Sequence, residues 1–319
     1  MRTLMNRRLV RRSGLILAVI VLRLCGAAWA QWTEDAQRCS QAADPDVAVA
    51  LCTRAIESKQ LSPAAVAVSF NNRGNAYQNK RNYDQAIADY NEALRIEPDS
   101  ALVHNNRGAA YQHKGDYERA LQDYDQAIRL DATSAMAFNN RGRAHHFKEN
   151  YAQALRDYEE AIELDSDYAL AFYNRALARF DQGLYIGAVP DFVRALNLDP
   201  RNPYRSIGQY LAKARVGDID REGLAQRTRD VNLGGWPGPV IAFMLGQLPL
   251  PALLEAARDS DPISERERQC EAYFYAGQQL LITGRRDEAA RMLQSAVATG
   301  ASSLYEYASA RAELRRLAR

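Results

Sequence analysis

The tetrapeptide Asn-Asn-Arg-Gly stands at residues 71–74, 105–108 and 139–142, and a variant, Tyr173-Asn174-Arg175-Ala176, follows at the same constant step. A fixed period of this length means a stack of like helical units, each burying its apolar face on its neighbours, rather than one closed globular core. With 47% hydrophobic and 25% charged residues, the chain has the apolar content such a stack requires and lacks the composition of a disordered one.

Superposing residues 67–100, 101–134, 135–168 and 169–202 shows what a unit is made of. Beyond the glycine slot come Tyr77, Tyr111, His145 and Arg179, then Tyr83, Tyr117, Tyr151 and Tyr185, then Ala86, Ala120, Ala154 and Ala188. The aromatics Tyr90, Tyr124, Tyr158 and Phe192 follow, and Ala93, Ala127, Ala161 and Ala195 close each unit. Small and apolar residues at this spacing predict two amphipathic helices per unit. The break between them falls at Lys80-Arg81-Asn82, Lys114-Gly115-Asp116, Lys148-Glu149-Asn150 and Gln182-Gly183-Leu184. In its order of glycine, tyrosine, alanine, aromatic and alanine the unit resembles the tetratricopeptide repeat, so the expected fold is all-α, a helix-turn-helix solenoid with a C-terminal helical extension.

The expected organisation is a signal peptide at 1–30, an N-terminal helical hairpin at 31–66, four repeats at 67–202, a non-repeat helical segment at 203–269, and a late repeat with a closing helix at 270–319. Gly277, Gly284, Ala289, Leu293 and Ala296 place the late copy. Between it and the array, a turn at 233–239 precedes apolar helices at 240–245 and 251–258. Pro190 predicts a second helix in the fourth unit that starts late or kinks.

The first residues carry Arg2, Arg7, Arg8, Arg11 and Arg12, then the apolar run Leu15–Leu22, then Ala28-Trp29-Ala30. That order predicts a secretory signal cut between Ala30 and Gln31, and hence a periplasmic protein. The run is too short to cross a bilayer core of about 30 Å as a helix. Cys25 follows Leu22-Arg23-Leu24 rather than the small residues of a lipidation site, and outer-membrane lipoprotein and secreted protein stand as alternatives. Arg11-Arg12 leaves the export route open between the general secretory and twin-arginine systems. The leader holds six of the 41 basic residues and no acid, so the remainder has 35 basic against 39 acidic residues, a net charge of −4. A mildly acidic chain lacks the basic footprint of a nucleic-acid binder.

Cys39 and Cys52 fall on successive helical segments of an exported chain. A disulfide that clips the hairpin and a pair of buried free thiols both fit the spacing, and an oxidising compartment favours the disulfide. Cys270 reads as an unpaired core thiol.

Each arginine of the tetrapeptide has an aspartate at one constant interval downstream: Arg73 with Asp89, Arg107 with Asp123, Arg141 with Asp157, and Arg175 with Asp191. This predicts a structural ion pair in every unit. Asn71, Asn72, Asn105, Asn106, Asn139, Asn140 and Asn174 sit on first helices, which line the concave face in such arrays. With Asn75, Arg143 and Tyr173 they form the candidate peptide-binding set, because an amide offers both donors and acceptors to an extended backbone. Solvated surface amides are an equally good reading. His104, His113, His145 and His146 lack the i, i+4 spacing of a helical metal site. With no phosphate loop or nucleophile elbow in the sequence, the expectation is a protein without cofactor or metal that is not an enzyme, with an uncharacterised hydrolase as the remote alternative.

The stretches Asp199-Pro-Arg-Asn-Pro-Tyr-Arg-Ser-Ile-Gly-Gln-Tyr-Leu-Ala212, Gly235-Trp-Pro-Gly-Pro-Val-Ile-Ala-Phe-Met-Leu-Gly246 and Glu271-Ala-Tyr-Phe-Tyr-Ala-Gly277 resemble the NlpI family of bacterial envelope lipoproteins, as does the order of the segments. The resemblance implies a non-catalytic, dimeric adaptor that brings peptidoglycan hydrolases together with each other and with a protease that processes them. Partners would then be proteins or extended peptide segments, with a second copy of the chain among them. The sequence departs from the family at Cys25, which leaves membrane association open. A secreted or periplasmic repeat protein with an unrelated partner is the alternative.

Overall fold

The computed structural model describes residues 34–319, so the expected signal segment, with Cys25, Ala30 and Gln31, lies outside the described residues. The helices gather into two compact units, one ending at Tyr111 and one beginning at Gln112, a division that falls inside the four-repeat segment expected at 67–202.

In the first unit, α1 (residues 34–41) and α2 (Pro45–Glu57) form a hairpin closed by a Cys39–Cys52 disulfide. Pro45 presets the backbone at the first helical position, and the Asp44 side chain accepts from the N–H groups of Asp46 and Val47. The cysteines are 13 residues apart, and a loop of that size contributes about 3 kcal/mol by restricting the unfolded chain. Next come α3 (Pro63–Asn79), capped by Ser62, and α4 (Tyr83–Ile96), capped by Asn82. Within α5 (Ala101–His113) the unit ends. Tyr90 is fully buried between Ala86, Ala93, Val103 and Ala110. A Cβ on Gly74 would lie 2.6 Å from its ring, so the glycine is what lets α3 and α4 approach.

In the second unit the same construction repeats in α6 (Tyr117–Leu130), α7 (Ala135–Phe147), α8 (Tyr151–Leu164), α9 (Ala169–Asp181) and α10 (Tyr185–Leu198). Each first helix ends on a left-handed residue: Arg81, Gly115, Glu149 and Gly183 take φ of 58°, 80°, 64° and 79° at one slot of the repeat. Only two of the four are glycine, so the turn geometry overrides the cost of about 1 kcal/mol for a side chain there.

Pro190 neither delays nor interrupts α10, which starts at Tyr185, in register with Tyr151 and Tyr117. The proline is exposed, and the carbonyl it leaves without a helical partner belongs to Ile186, itself 77% exposed, so that carbonyl is not stranded in the core.

The repeat geometry also runs one helix beyond its expected end at 202. In α11 (Pro203–Ala214) a Cβ on Gly208 would lie 2.5 Å from the Phe192 ring of α10. Short helices α12 (Arg221–Arg227), α13 (Gly238–Met244) and α14 (Leu250–Ala256) surround Leu224, Ile241, Met244 and Leu253, all fully buried. Where a late repeat is expected stands the helix pair α15 (Pro262–Ile282) and α16 (Arg286–Ala298), in which Gly277 meets Leu293 as Gly142 meets Tyr158. The boundary expected at 269/270 therefore falls inside α15, because the Asp261 cap and Pro262 start that helix earlier than the repeat pattern alone indicates. The closing helix is α17 (Tyr305–Leu317). No helix among the described residues is long and apolar enough to cross a membrane.

Candidate functional site

The arginines of the tetrapeptide point back into the frame. Arg73 makes a two-pronged contact with Asp89, Nε–Oδ2 2.8 Å and Nη2–Oδ1 2.7 Å; Arg141 does the same with Asp157 at 3.0 and 2.6 Å, and Arg175 with Asp191 at 2.8 and 2.7 Å. The three aspartates are buried, so each pair is more than a surface contact. The third donor reaches the preceding helix: Arg73 Nη1 to Thr53 Oγ1 at 2.9 Å, and Arg141 Nη1 to Asp125 Oδ1 at 2.8 Å. Arg107 Nη1 donates to Asn91 at 2.7 Å in the first unit, and Asp123 is buried in the second.

The asparagines correct the reading of a fully presented amide ladder. Asn71, Asn105, Asn139 and Asn174 are buried, the last two completely. Asn106 Nδ2 donates to Asn71 Oδ1 at 3.0 Å and Asn174 Nδ2 to Asn139 Oδ1 at 2.9 Å, so the second asparagine of one repeat holds the first asparagine of the repeat before it. Asn75 accepts from the Tyr90 hydroxyl at 2.7 Å. A helix-to-helix spacing set by small residues brings these amides within reach of each other, and desolvated amides must pair. Asn72 and Asn140 stay half-buried. Arg143, Tyr173 and Asn174 come together, in a cleft of the second unit.

That cleft holds about 350 Å3 and is lined by α7, α9, α11, α15 and the segment entering α17. Leu170, 38% exposed, forms its rim. Its C-terminal wall is pinned from several sides. Tyr305 packs against Phe147 with ring centres 5.1 Å apart and against His146 at 5.2 Å, and the Tyr117 hydroxyl donates to the Ser302 carbonyl at 3.3 Å. Arg311 and Arg315 reach Glu149 at 3.1 and 2.7 Å, and Arg215 reaches the buried Glu313 at 2.6 Å. His146 Nε2 lies 2.8 Å from Asp181 Oδ2 beneath Tyr305, both residues buried, which gives this histidine a structural place.

Two carboxylates stand in the cleft that repeat spacing did not single out, Glu271 and Glu306. Glu271 Oε2 accepts from the Tyr204 hydroxyl at 2.9 Å and from Trp236 Nε1 at 3.0 Å, and Glu306 Oε1 accepts from the Tyr275 hydroxyl at 2.8 Å. Burial first, and then repulsion from Glu306, push the Glu271 carboxyl up to about 8 against the hydrogen bonds that favour its charged form. Burial likewise raises Glu306. Neither acid belongs to the repeat pattern, and only the Glu271-Ala-Tyr-Phe stretch of the resemblance touched one of them. The Glu271 shift has a sign that can be checked: its stabilising contribution is fully present below the unfolded value of 4.5 and is lost as pH rises through about 8. Thermal midpoints are expected to fall from about pH 5 to about pH 9, and Glu271→Gln, which keeps an acceptor for Tyr204 and Trp236, is expected to flatten that fall.

Residues 67–100 and 101–134 match the family described as tetratricopeptide repeat, and residues 147–183 match the family described as TPR repeat. These segments are tetratricopeptide repeats. The chain is similar to the lipoprotein NlpI homolog of Haemophilus influenzae, 29% identical over 120 residues. That match takes in 37% of this chain and 38% of the relative, so the chain spans well under half of the relative's length in the comparison. A crystal structure of a tetratricopeptide repeat protein from Parabacteroides merdae aligns over 92% of this chain and 100% of its own, with a TM-score of 0.56 at 16% identity, a likeness of fold alone.

Proposed function

We propose that the protein is an exported, non-catalytic scaffold of the cell envelope, which holds peptidoglycan hydrolases and the protease that processes them. The observation that supports binding is the second-unit cleft, where an apolar rim surrounds polar groups on the first helices of a tetratricopeptide array, the face such arrays offer to partners. The envelope setting and the class of partner come from the likeness to the NlpI lipoprotein homolog. Among the described residues the one free cysteine, Cys270, is buried and its thiol is pushed up to about 12, far from a nucleophile's range.

Affinity capture from a periplasmic extract tests the reading. The wild-type chain is expected to recover a peptidoglycan hydrolase or a protease, and Leu170→Glu, which charges the exposed rim without entering the core, is expected to reduce recovery about tenfold. Equal recovery by both proteins, or capture of neither class, would count against it.

A further inference from the structure

We infer that the cleft of the second unit receives a primary ammonium group presented by a partner polypeptide, either a lysine side chain or an amino terminus. The inference rests on the scaffold reading and names the chemistry of its site. Its basis is the set of acceptors on three separate elements that line one cleft: Asn174 on α9, Glu271 on α15 and Glu306 in the first turn of α17.

The carboxylates are held in a particular way. Tyr204 and Trp236 both donate to Oε2 of Glu271, and Tyr275 donates to Oε1 of Glu306. Side-chain donors thus converge on one oxygen of each acid and hold both carboxylates in place without a cation. A guanidinium binds best when it takes both oxygens of a carboxylate in its planar fork, whereas an ammonium directs three separate N–H bonds at three separate acceptors. Acceptors spread over two acids and an amide on three separate elements suit the ammonium.

Asn174 supplies an independent observation. Its side chain is fully buried, its Nδ2 is committed to Asn139, and its Oδ1 has no partner among the described residues. A buried oxygen left without a donor is unfavourable, and a ligand N–H would satisfy it.

The protein's own cations do not fill the role. Arg205 is bound to Asp199 at 2.8 and 3.0 Å and to the Ala169 carbonyl at 3.2 Å. Arg143 also lines the cleft, where its guanidinium is engaged with the Tyr124 hydroxyl. Among the described residues Glu271 and Glu306 thus line one cleft held by neutral donors and with no cation paired to either, the arrangement a bound cation relieves. Leu170, Tyr173 and Tyr204 line the approach and give the methylene stem of a lysine an apolar and aromatic wall.

The test is a titration of the full-length protein followed by Trp236 fluorescence, since that indole donates to Glu271. The probes are a capped pentapeptide with a central lysine, the same peptide with acetyl-lysine, a lysine-free peptide with a free amino terminus, and n-butylammonium chloride. The lysine peptide or the free-terminus peptide is expected to bind at least about tenfold more tightly than the acetylated one, and the tighter of the two identifies the source of the ammonium. Glu271→Gln and Glu306→Gln are each expected to weaken that binding by a similar factor, with cooperative thermal unfolding retained in both. Equal binding of the acetyl-lysine peptide, unchanged binding by both glutamine variants, or no binding of any probe at millimolar concentration overturns the inference. Binding of n-butylammonium as tight as that of the peptides also overturns it, because a polypeptide would then contribute nothing. If the probes fail while hydrolase capture persists, the ammonium site falls and the scaffold stands; if the probes bind but no envelope protein is captured, the scaffold reading falls alone.

Discussion

Arg141→Ala is expected to destabilise the second unit by about 3 kcal/mol, because it strands a buried carboxylate rather than merely removing a contact. Asp157 keeps only 8% of its side-chain surface, and Arg141 holds both its oxygens, at 2.6 and 3.0 Å. The same guanidinium bonds Asp125 on the preceding helix and lies 5.4 Å over the Phe138 ring, so one side chain joins three helices. Asp157→Asn leaves a neutral group that still accepts a hydrogen bond and is expected to cost less. The double variant is expected to fall short of the summed losses by about 1 to 3 kcal/mol. Denaturant unfolding of the four proteins measures this, and fully additive losses would mean that the pair does not act as a unit.

Gly142→Val is expected to cost about 3 kcal/mol by a different route. A Cβ at this position would lie 2.8 Å from the Tyr158 ring, closer than real side chains come, and a tight 3.1 Å from the Asp157 Cβ. Tyr158 is fully buried and has nowhere to retreat, so α7 and α8 must separate or the ring must leave its place. Exchanging Tyr158 for leucine in the same chain is expected to restore part of the loss, since the ring is the obstacle. If Gly142→Val unfolds at the same denaturant concentration as the wild type, the glycine is there for some reason other than close packing.

Both effects were foreshadowed by spacing. The interval between Arg141 and Asp157 also separates Gly142 from Tyr158, because it carries the chain from one helix to the facing position on the next. Periodicity therefore indicated the helix pairs and the ion pairs of Arg73, Arg141 and Arg175, and the packing adds that the glycine meets an aromatic ring at the same interval. It did not reveal the fate of the asparagines. The tetrapeptide prints two amides side by side, and only packing shows that Asn139 is buried while Asn140 keeps partial access. The interlock of Asn174 with Asn139 links neighbouring repeats, at a distance set by helix approach.

The cleft was still less legible. Arg143 and Tyr173 stand in the array, but Glu271 and Glu306 come from the late repeat and the closing helix, far along the chain. A repeat pattern describes what each unit shares with the next, and these acids are what the C-terminal segments do not share. Pro190 gives the converse case. A local rule forecast a disturbed helix, and exposure of the proline and of Ile186 let α10 run undisturbed.

Spacing along the chain is enough to define the unit: two helices, a small residue on the first, an arginine and an aspartate set to pair across them, and the same again one period on. These are short-range relations, set by helical geometry and side-chain size. Which amides became frame and which acids met in a cleft is a matter of packing, because burial and electrostatic environment depend on segments that sequence spacing does not connect.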